Sequence, residues 1–292
     1  MSLLSDEIPA LLKRYKVRPR KKHGQSFLKD QSIAREIVET AEISEHDRVL
    51  EIGGGLGILT ELLVRVAKHV FVIEIDPGLV KALEDKFTEC ENLTIIHGDA
   101  LKVAFPEVSK VVSNLPYSIS SEITFRLLHE LDFDDAVLMY QKEFAQRLQA
   151  TPGSSEYSRL SVNIGYQAEV ENLLDVPKNM FYPEPAVDSV VVRLKHSNRI
   201  PRAKSDDIFF WMINGIFSYP NKNLRKAMRI WFRNLGVDKS LVNIAIDRCR
   251  NKLDGQEKLR TLSIESLVAL SDSISSLVEE NSLPRPEGSH HE

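Results

Sequence analysis

Glu51-Ile52-Gly53-Gly54-Gly55-Leu56-Gly57 closes the short apolar run Arg48–Ile52 and opens a helical pattern over about 57–67. Glycines between a strand and a helix let the backbone approach a ligand closely. Three further β-branched runs end in polar residues: Val72-Ile73-Glu74-Ile75-Asp76, Ile95-Ile96-His97-Gly98-Asp99 and Val111-Val112-Ser113-Asn114. The strand patterns cover 70–75, 93–96, 110–113 and 135–140, and helical patterns at 77–87 and 120–130 lie among them. Strands alternating with helices describe an open α/β sheet, whose ligands bind beyond the carboxyl ends of its strands.

Outward from this centre, residues 5–15 carry an amphipathic pattern (Ile8, Leu11, Leu12, Tyr15), and a helix around 33–41 precedes the first strand. After Met139-Tyr140-Gln141 a helix runs to about Ala150, and Thr151–Tyr157 has the composition of a surface loop. Two more strands, 168–176 and 188–195, form a late hairpin around Phe181-Tyr182-Pro183-Glu184-Pro185. From Ile200 the pattern turns helical and basic, which sets a domain boundary near 196–202. The expected organisation is an N-terminal helix and basic arm (1–30), a catalytic domain (31–198), a helical domain (199–275) and a disordered tail (276–292).

At 292 residues the chain is long enough for two domains with a sizeable core, and 42% hydrophobic with 27% charged residues is ordinary for a soluble globular protein. Two cysteines, Cys90 and Cys249, offer neither a metal-ligand spacing nor a disulfide framework, so a reducing cytoplasm is expected. No apolar run reaches the length of a membrane span. The net charge of −4 argues against bulk attraction to nucleic acid, but its distribution reverses that conclusion. Seven of the ten residues from Lys13 to Lys22 are basic, and Lys195–Arg260 holds fifteen Lys or Arg against six Asp or Glu. Two basic zones around a roughly neutral core suggest a polyanion lying across the site.

The polar strand ends carry the chemistry. A dinucleotide fingerprint needs glycine or alanine where Ile58 stands, which weakens a pyrophosphate reading. Gly53, Gly55 and Gly57 preceded by Glu51 resemble instead the turn of S-adenosylmethionine-dependent methyltransferases, which bind a cofactor without a pyrophosphate. Glu74, seventeen residues after Gly57, can accept hydrogen bonds from both ribose hydroxyls, and Asp99 from an adenine amino group. The neighbouring Ile75 and Ala100 complete the expected cofactor wall. An adenine amino nitrogen is a poor nucleophile because its lone pair is delocalised into the ring. The Asn114 side-chain oxygen and the Leu115 carbonyl can accept its N–H groups and favour a tetrahedral nitrogen. Pro116 stiffens the turn, and Tyr117 offers a face to a base that has left its stack. The sulfonium of such a cofactor is already activated, so no metal is expected.

At these residues the chain resembles the small-subunit rRNA adenine N6,N6-dimethyltransferases, and the resemblance spans roughly residues 15–262. It includes His23-Gly24-Gln25-Ser26-Phe27-Leu28, the glycine turn, Asn114–Tyr117, Tyr157–Val162, Phe181–Ser189 and Asn221-Lys222-Asn223-Leu224-Arg225-Lys226. It implies a Rossmann-like methyltransferase domain with a small C-terminal all-helical domain. It also implies dimethylation of two adjacent adenosines near the 3′ end of small-subunit rRNA during ribosome biogenesis, by a monomer acting on a pre-ribosomal particle. Gln25, Ser26 and Leu28 would line the methyl-donor pocket with Gly53, Glu74, Asp99 and Asn114, and Phe181 would be a second aromatic against the target base. Its bland alternative is a core aromatic. Arg18, Arg20, Lys21 and Lys22 of the arm, with Lys222, Arg225, Lys226 and Arg229, would bind RNA. Rival readings are a large-subunit rRNA adenine N6-methyltransferase, a non-catalytic nucleic-acid-binding assembly factor on the same fold, and a nicotinamide dehydrogenase. The last loses on Ile58 and on the lack of a catalytic dyad.

Overall fold

The computed structural model describes residues 7–19, 25–198 and 201–286. Its chain divides into two compact units, one of residues 1–145 and 168–196 and the other of 146–167 and 197–292.

The first unit is a seven-stranded sheet with helices. Its strands are β1 (Phe27–Leu28), β2 (Arg48–Ile52), β3 (His69–Glu74), β4 (Leu93–His97), β5 (Lys110–Asn114), β6 (Asp135–Gln141), β7 (Ala168–Val176), β8 (Phe181–Tyr182) and β9 (Ser189–His196). The large sheet has the order β4-β3-β2-β5-β6-β9-β7, and β1 pairs with β8 in a separate two-stranded ribbon. The five strands from β4 to β6 run parallel, whereas β9 is antiparallel to both β6 and β7. Strand β5 is buried over Lys110–Ser113 and β6 over Asp135–Tyr140, as interior strands covered on both faces must be.

Chain order steps outward from β2 through β3 to β4, then returns to the other side of β2 as β5. That reversal is the switch point at which an open α/β sheet leaves a crevice. Here the ladder between β2 and β5 pairs only Val49 with Lys110 and Leu50 with Val111. Beyond it the Ser113 hydroxyl takes over, accepting from the Ile52 amide at 3.2 Å and donating to the Ile52 carbonyl at 2.5 Å. The glycine turn and Asn114 therefore leave adjacent strands side by side.

The helices of this unit are α1 (Glu7–Arg14), α2 (Gln31–Thr40), α3 (Thr60–Leu63), α4 (Pro77–Lys86) and α5 (Ser120–Glu130). Two starts are set by aspartate caps. Asp30 accepts from the amides of Ser32 and Ile33, and Asp76 from those of Gly78 and Leu79 with Pro77 at the first helical position. The helix expected over 57–67 shortens to α3, which carries no side-chain cap. α6 (Lys142–Leu148) follows β6.

The second unit is helical: α7 (Arg159–Gln167), α8 (Asp206–Phe217), α9 (Leu224–Asn234), α10 (Leu241–Asp247) and α11 (Ile264–Glu279). Val162 and Tyr166 of α7 share one core with Phe209, Met212 and Ile213 of α8 and Trp231 and Phe232 of α9. Tyr166 stacks on Phe209 at 4.0 Å between centroids. That shared core explains why 146–167 cluster with the later helices, although the sequence reading had placed them within 31–198. The tail expected to be disordered from 276 is also corrected. α11 continues to Glu279, and Leu277, Val278 and Leu283 are buried in the same core, which holds the chain in place. Residues 287–292 lie outside the described residues. Among the described residues no helix is long and apolar enough to cross a membrane.

Candidate active site

At the switch point lies a cavity of about 400 Å³, within the range of small-molecule sites. The ends of four parallel strands form its walls. β2 contributes Glu51 and the turn Gly53–Leu56, β3 contributes Glu74 and Ile75, β4 leads to Asp99 and Ala100, and β5 contributes Asn114–Tyr117. Gln25, Ser26 and Leu28 of the segment around β1 close another side. Of the expected cofactor residues, only Gly57 stays away from the cavity. Its φ of +74° needs glycine, and an added Cβ there would lie 2.8 Å from the Phe87 ring. Gly57 therefore serves the close packing of the turn on α4 and its C-terminal end.

Glu74 is 4% exposed. One carboxylate oxygen accepts from the amides of Ile75 (2.9 Å) and Asp76 (3.0 Å), and the other from the Gly55 amide at 3.1 Å. Burial raises its pKa even against those three amides. The carboxylate thus ties the end of β3 to the glycine turn while facing the cavity. Asp99 accepts from the Leu101 amide at 3.0 Å, and its other oxygen lies 3.7 Å from Lys102 Nζ. Ile75 is 58% exposed on the cavity rim, an apolar surface suited to the face of a heterocycle.

Glu51 escaped the sequence reading as a site residue, although it precedes the glycines. It is fully buried, and its pKa is pushed up to about 8, chiefly by burial and further by the nearby Glu74 carboxylate. The Thr60 hydroxyl, from α3, donates to it at 2.6 Å. Position alone carried no signal, because the strand pattern shows an acid without showing that both faces of β2 are covered.

Asn114 sits where β5 ends, and its amide nitrogen makes a long contact of 3.5 Å to the Ser26 carbonyl. That orientation leaves the side-chain oxygen to accept from a ligand. Pro116 has φ −60° and ψ 118° and starts a 3-10 turn over Tyr117–Ile119. Tyr117 lines the cavity, and its hydroxyl shares a 2.7 Å hydrogen bond with Ser189 at the start of β9. Burial raises the tyrosine pKa. The ring is thereby held at both ends.

Phe181, expected against a target base, is only 1% exposed and lies in the core with Leu28, Val176 and Val191. It does not line the cavity. The ring is turned into that core, as the core-aromatic alternative has it, beside its register partner Leu28. Hairpin composition could not reveal that direction.

Of the expected RNA-binding residues, Arg18 is exposed, and Arg20, Lys21 and Lys22 lie outside the described residues. In the helical unit Lys222, Lys226 and Arg229 are exposed. Arg225 is not free: its guanidinium donates to the Asn243 side chain at 2.5 Å and to the Asp254 carbonyl at 2.8 Å. Sequence inspection missed Arg233, which joins Lys226, Arg229 and Lys239 around a surface depression. The i, i+3, i+7 spacing of 226, 229 and 233 was the available signal.

A sequence model described as ribosomal RNA adenine dimethylase matches residues 17–270. A Methanosarcina mazei protein described as "probable ribosomal RNA small subunit methyltransferase A" is 47% identical over 226 residues, 76% of this chain and 81% of that protein. One of the same description from Methanothermobacter thermautotrophicus is 46% identical, covering 82% of this chain and 86% of its own length. Among solved structures, a dimethyladenosine transferase from Plasmodium falciparum superposes with a TM-score of 0.76 at 29% identity, covering 88% of this chain and 99% of that one. The 23S rRNA methyltransferase ErmE follows at 0.63 and 28%, covering 85% and 99%.

Proposed function

The chain belongs to the ribosomal RNA adenine dimethylase family, and from that premise we infer that it dimethylates the N6 amino groups of two adjacent adenosines near the 3′ end of small-subunit rRNA. The methyl donor is S-adenosyl-L-methionine, which supplies a methyl group activated as a sulfonium. The enzyme acts as a cytoplasmic monomer on a pre-ribosomal particle. One observation supports the reading above all: the Asn114–Tyr117 turn and the Glu74 carboxylate line the same cavity.

The cavity suits the donor in size and in chemistry. Gly53 and Gly55, with φ of +78° and +57°, hold a backbone conformation that suits glycine and present bare backbone to the cavity. Glu74 is a buried acceptor aimed at ribose hydroxyls, and Asp99 is an acceptor for the donor's adenine. Charge-assisted bonds of this kind contribute roughly 1.5–3 kcal/mol each. Asn114 and the Leu115 carbonyl then accept the N–H groups of the target adenine, while Tyr117 supports its face. The target must be unstacked to reach them.

The relatives described as small-subunit enzymes outweigh the likeness to ErmE, whose identity to this chain is lower. Labelled donor incubated with unmethylated small subunits and, separately, with large subunits tests the choice. Label entering only the small subunit is expected, and label entering only the large subunit overturns the reading.

A further inference from the structure

Beside α1 lies a second cavity, about 690 Å³, that the methyl-transfer chemistry does not use. Lys13, Lys16, Arg18 and Tyr182 line it, with Pro9 and Pro19, and no acidic residue is among its lining. All three cations are exposed. We propose that this groove holds the RNA nucleotide flanking the target adenosine, with its phosphate against the three cations and its base against Tyr182. The proposal rests on the rRNA reading above and assigns that RNA a further subsite.

Backbone and register both point to it. Lys16 has φ +57°. It ends α1 in a turn where its amide bonds to the Lys13 carbonyl (3.2 Å) and the Val17 amide to the Leu12 carbonyl (2.8 Å). Glycine is the favoured residue at that helix-ending position, because a Cβ there is strained. A lysine kept in a conformation that suits glycine fits a side chain retained for contact with a ligand. The β1–β8 ribbon supplies the location. Phe27 lines the methyl-donor cavity, and its register partner Tyr182 lines the groove. Adjacent strands lie about 4.8 Å apart, so the two sites are one strand from each other. Leu12 and Val17 of the groove also share an apolar cluster with Ile8 and Phe27 of the donor cavity. Lysine and arginine hold phosphate, and a half-buried tyrosine offers a face for base stacking.

Lys16→Gly separates this role from a structural one. The variant should melt at the same temperature as wild type or higher, and bind donor equally. Its binding to unmethylated small subunits should weaken, with a log–log salt slope shallower by about 0.9, the loss of one phosphate contact. Tyr182→Ala should weaken the same binding roughly ten-fold, but Tyr182 also packs on the cluster, so Lys16→Gly decides. A photo-crosslinker on Lys16→Cys, with wild type treated with the same reagent as the control for Cys90, should mark rRNA within a few nucleotides of the methylated adenosines. Unchanged binding and slope in Lys16→Gly, or crosslinks far from those adenosines, overturns the groove. Failure of wild type to methylate small subunits would instead overturn the reading on which the groove rests.

Discussion

Asn114 and Glu51 face one cavity and make opposite demands on it. Asn114 must present an oxygen to an incoming amine, and its contact to the Ser26 carbonyl sets that orientation. Asn114→Ala should leave donor binding largely intact and slow methyl transfer by about 10²–10³, the usual cost of one preorganised polar contact in a transition state. Single-turnover rates at saturating donor are the measurement, and a loss under three-fold would remove Asn114 from the chemistry. Glu51 instead holds a proton, with its pKa raised from 4.5 to about 8. Between those values the folded protein binds more protons than the unfolded chain, so stability falls as pH rises through that window. Glu51→Gln has no such proton to lose. Melting temperatures from about pH 5 to pH 8.5 should therefore show wild type losing ground to the variant, and parallel profiles would contradict a buried neutral acid. The meeting of Glu74, Asp99 and Asn114 at one cavity was legible because each ends a strand pattern. The roles of Gly57, Phe181 and Arg225 were not, because packing partners far along the chain decide them.

At the scale of elements, α9 shows how far a charge run can be read. Its basic composition was visible, but Arg225 is spent on Asn243 and Asp254, and the exposed face passes through Lys226, Arg229 and Arg233. Reversing the charge of those three together should flatten the salt dependence of small-subunit binding by about 2.7 in log–log slope, three phosphate contacts at 0.9 each, while donor affinity stays unchanged. Equal slopes would exclude this face from RNA binding. α11 makes a stability prediction. Leu277 is 1% exposed, and Leu277→Ala should cost about 2–5 kcal/mol in urea unfolding. A cost near zero would return residues past 276 to the expected disordered tail. β1, β8 and α7 were not legible as elements, since two-residue strands show no period and the α7 pattern was masked by the polar loop before it.

Across the whole molecule, the alternation of strand and helix patterns carried the fold class, and the order of polar strand ends carried the position of the cavity. The sheet order supplied what pattern alone could not: the return of the chain from β4 to β5 makes neighbours of the glycine turn and Asn114. The division into units was harder to read, because 146–167 precede three strands of the first unit yet pack with helices that come after them. The proposed donor site, base capture and basic surfaces converge on one product. Unmethylated small subunits treated with the enzyme and donor, then digested and read by mass spectrometry, report it directly. Two adjacent N6,N6-dimethyladenosines near the 3′ end of the rRNA are expected, four methyl groups in all. A single modified adenosine, or methylation elsewhere in the rRNA, would contradict the account.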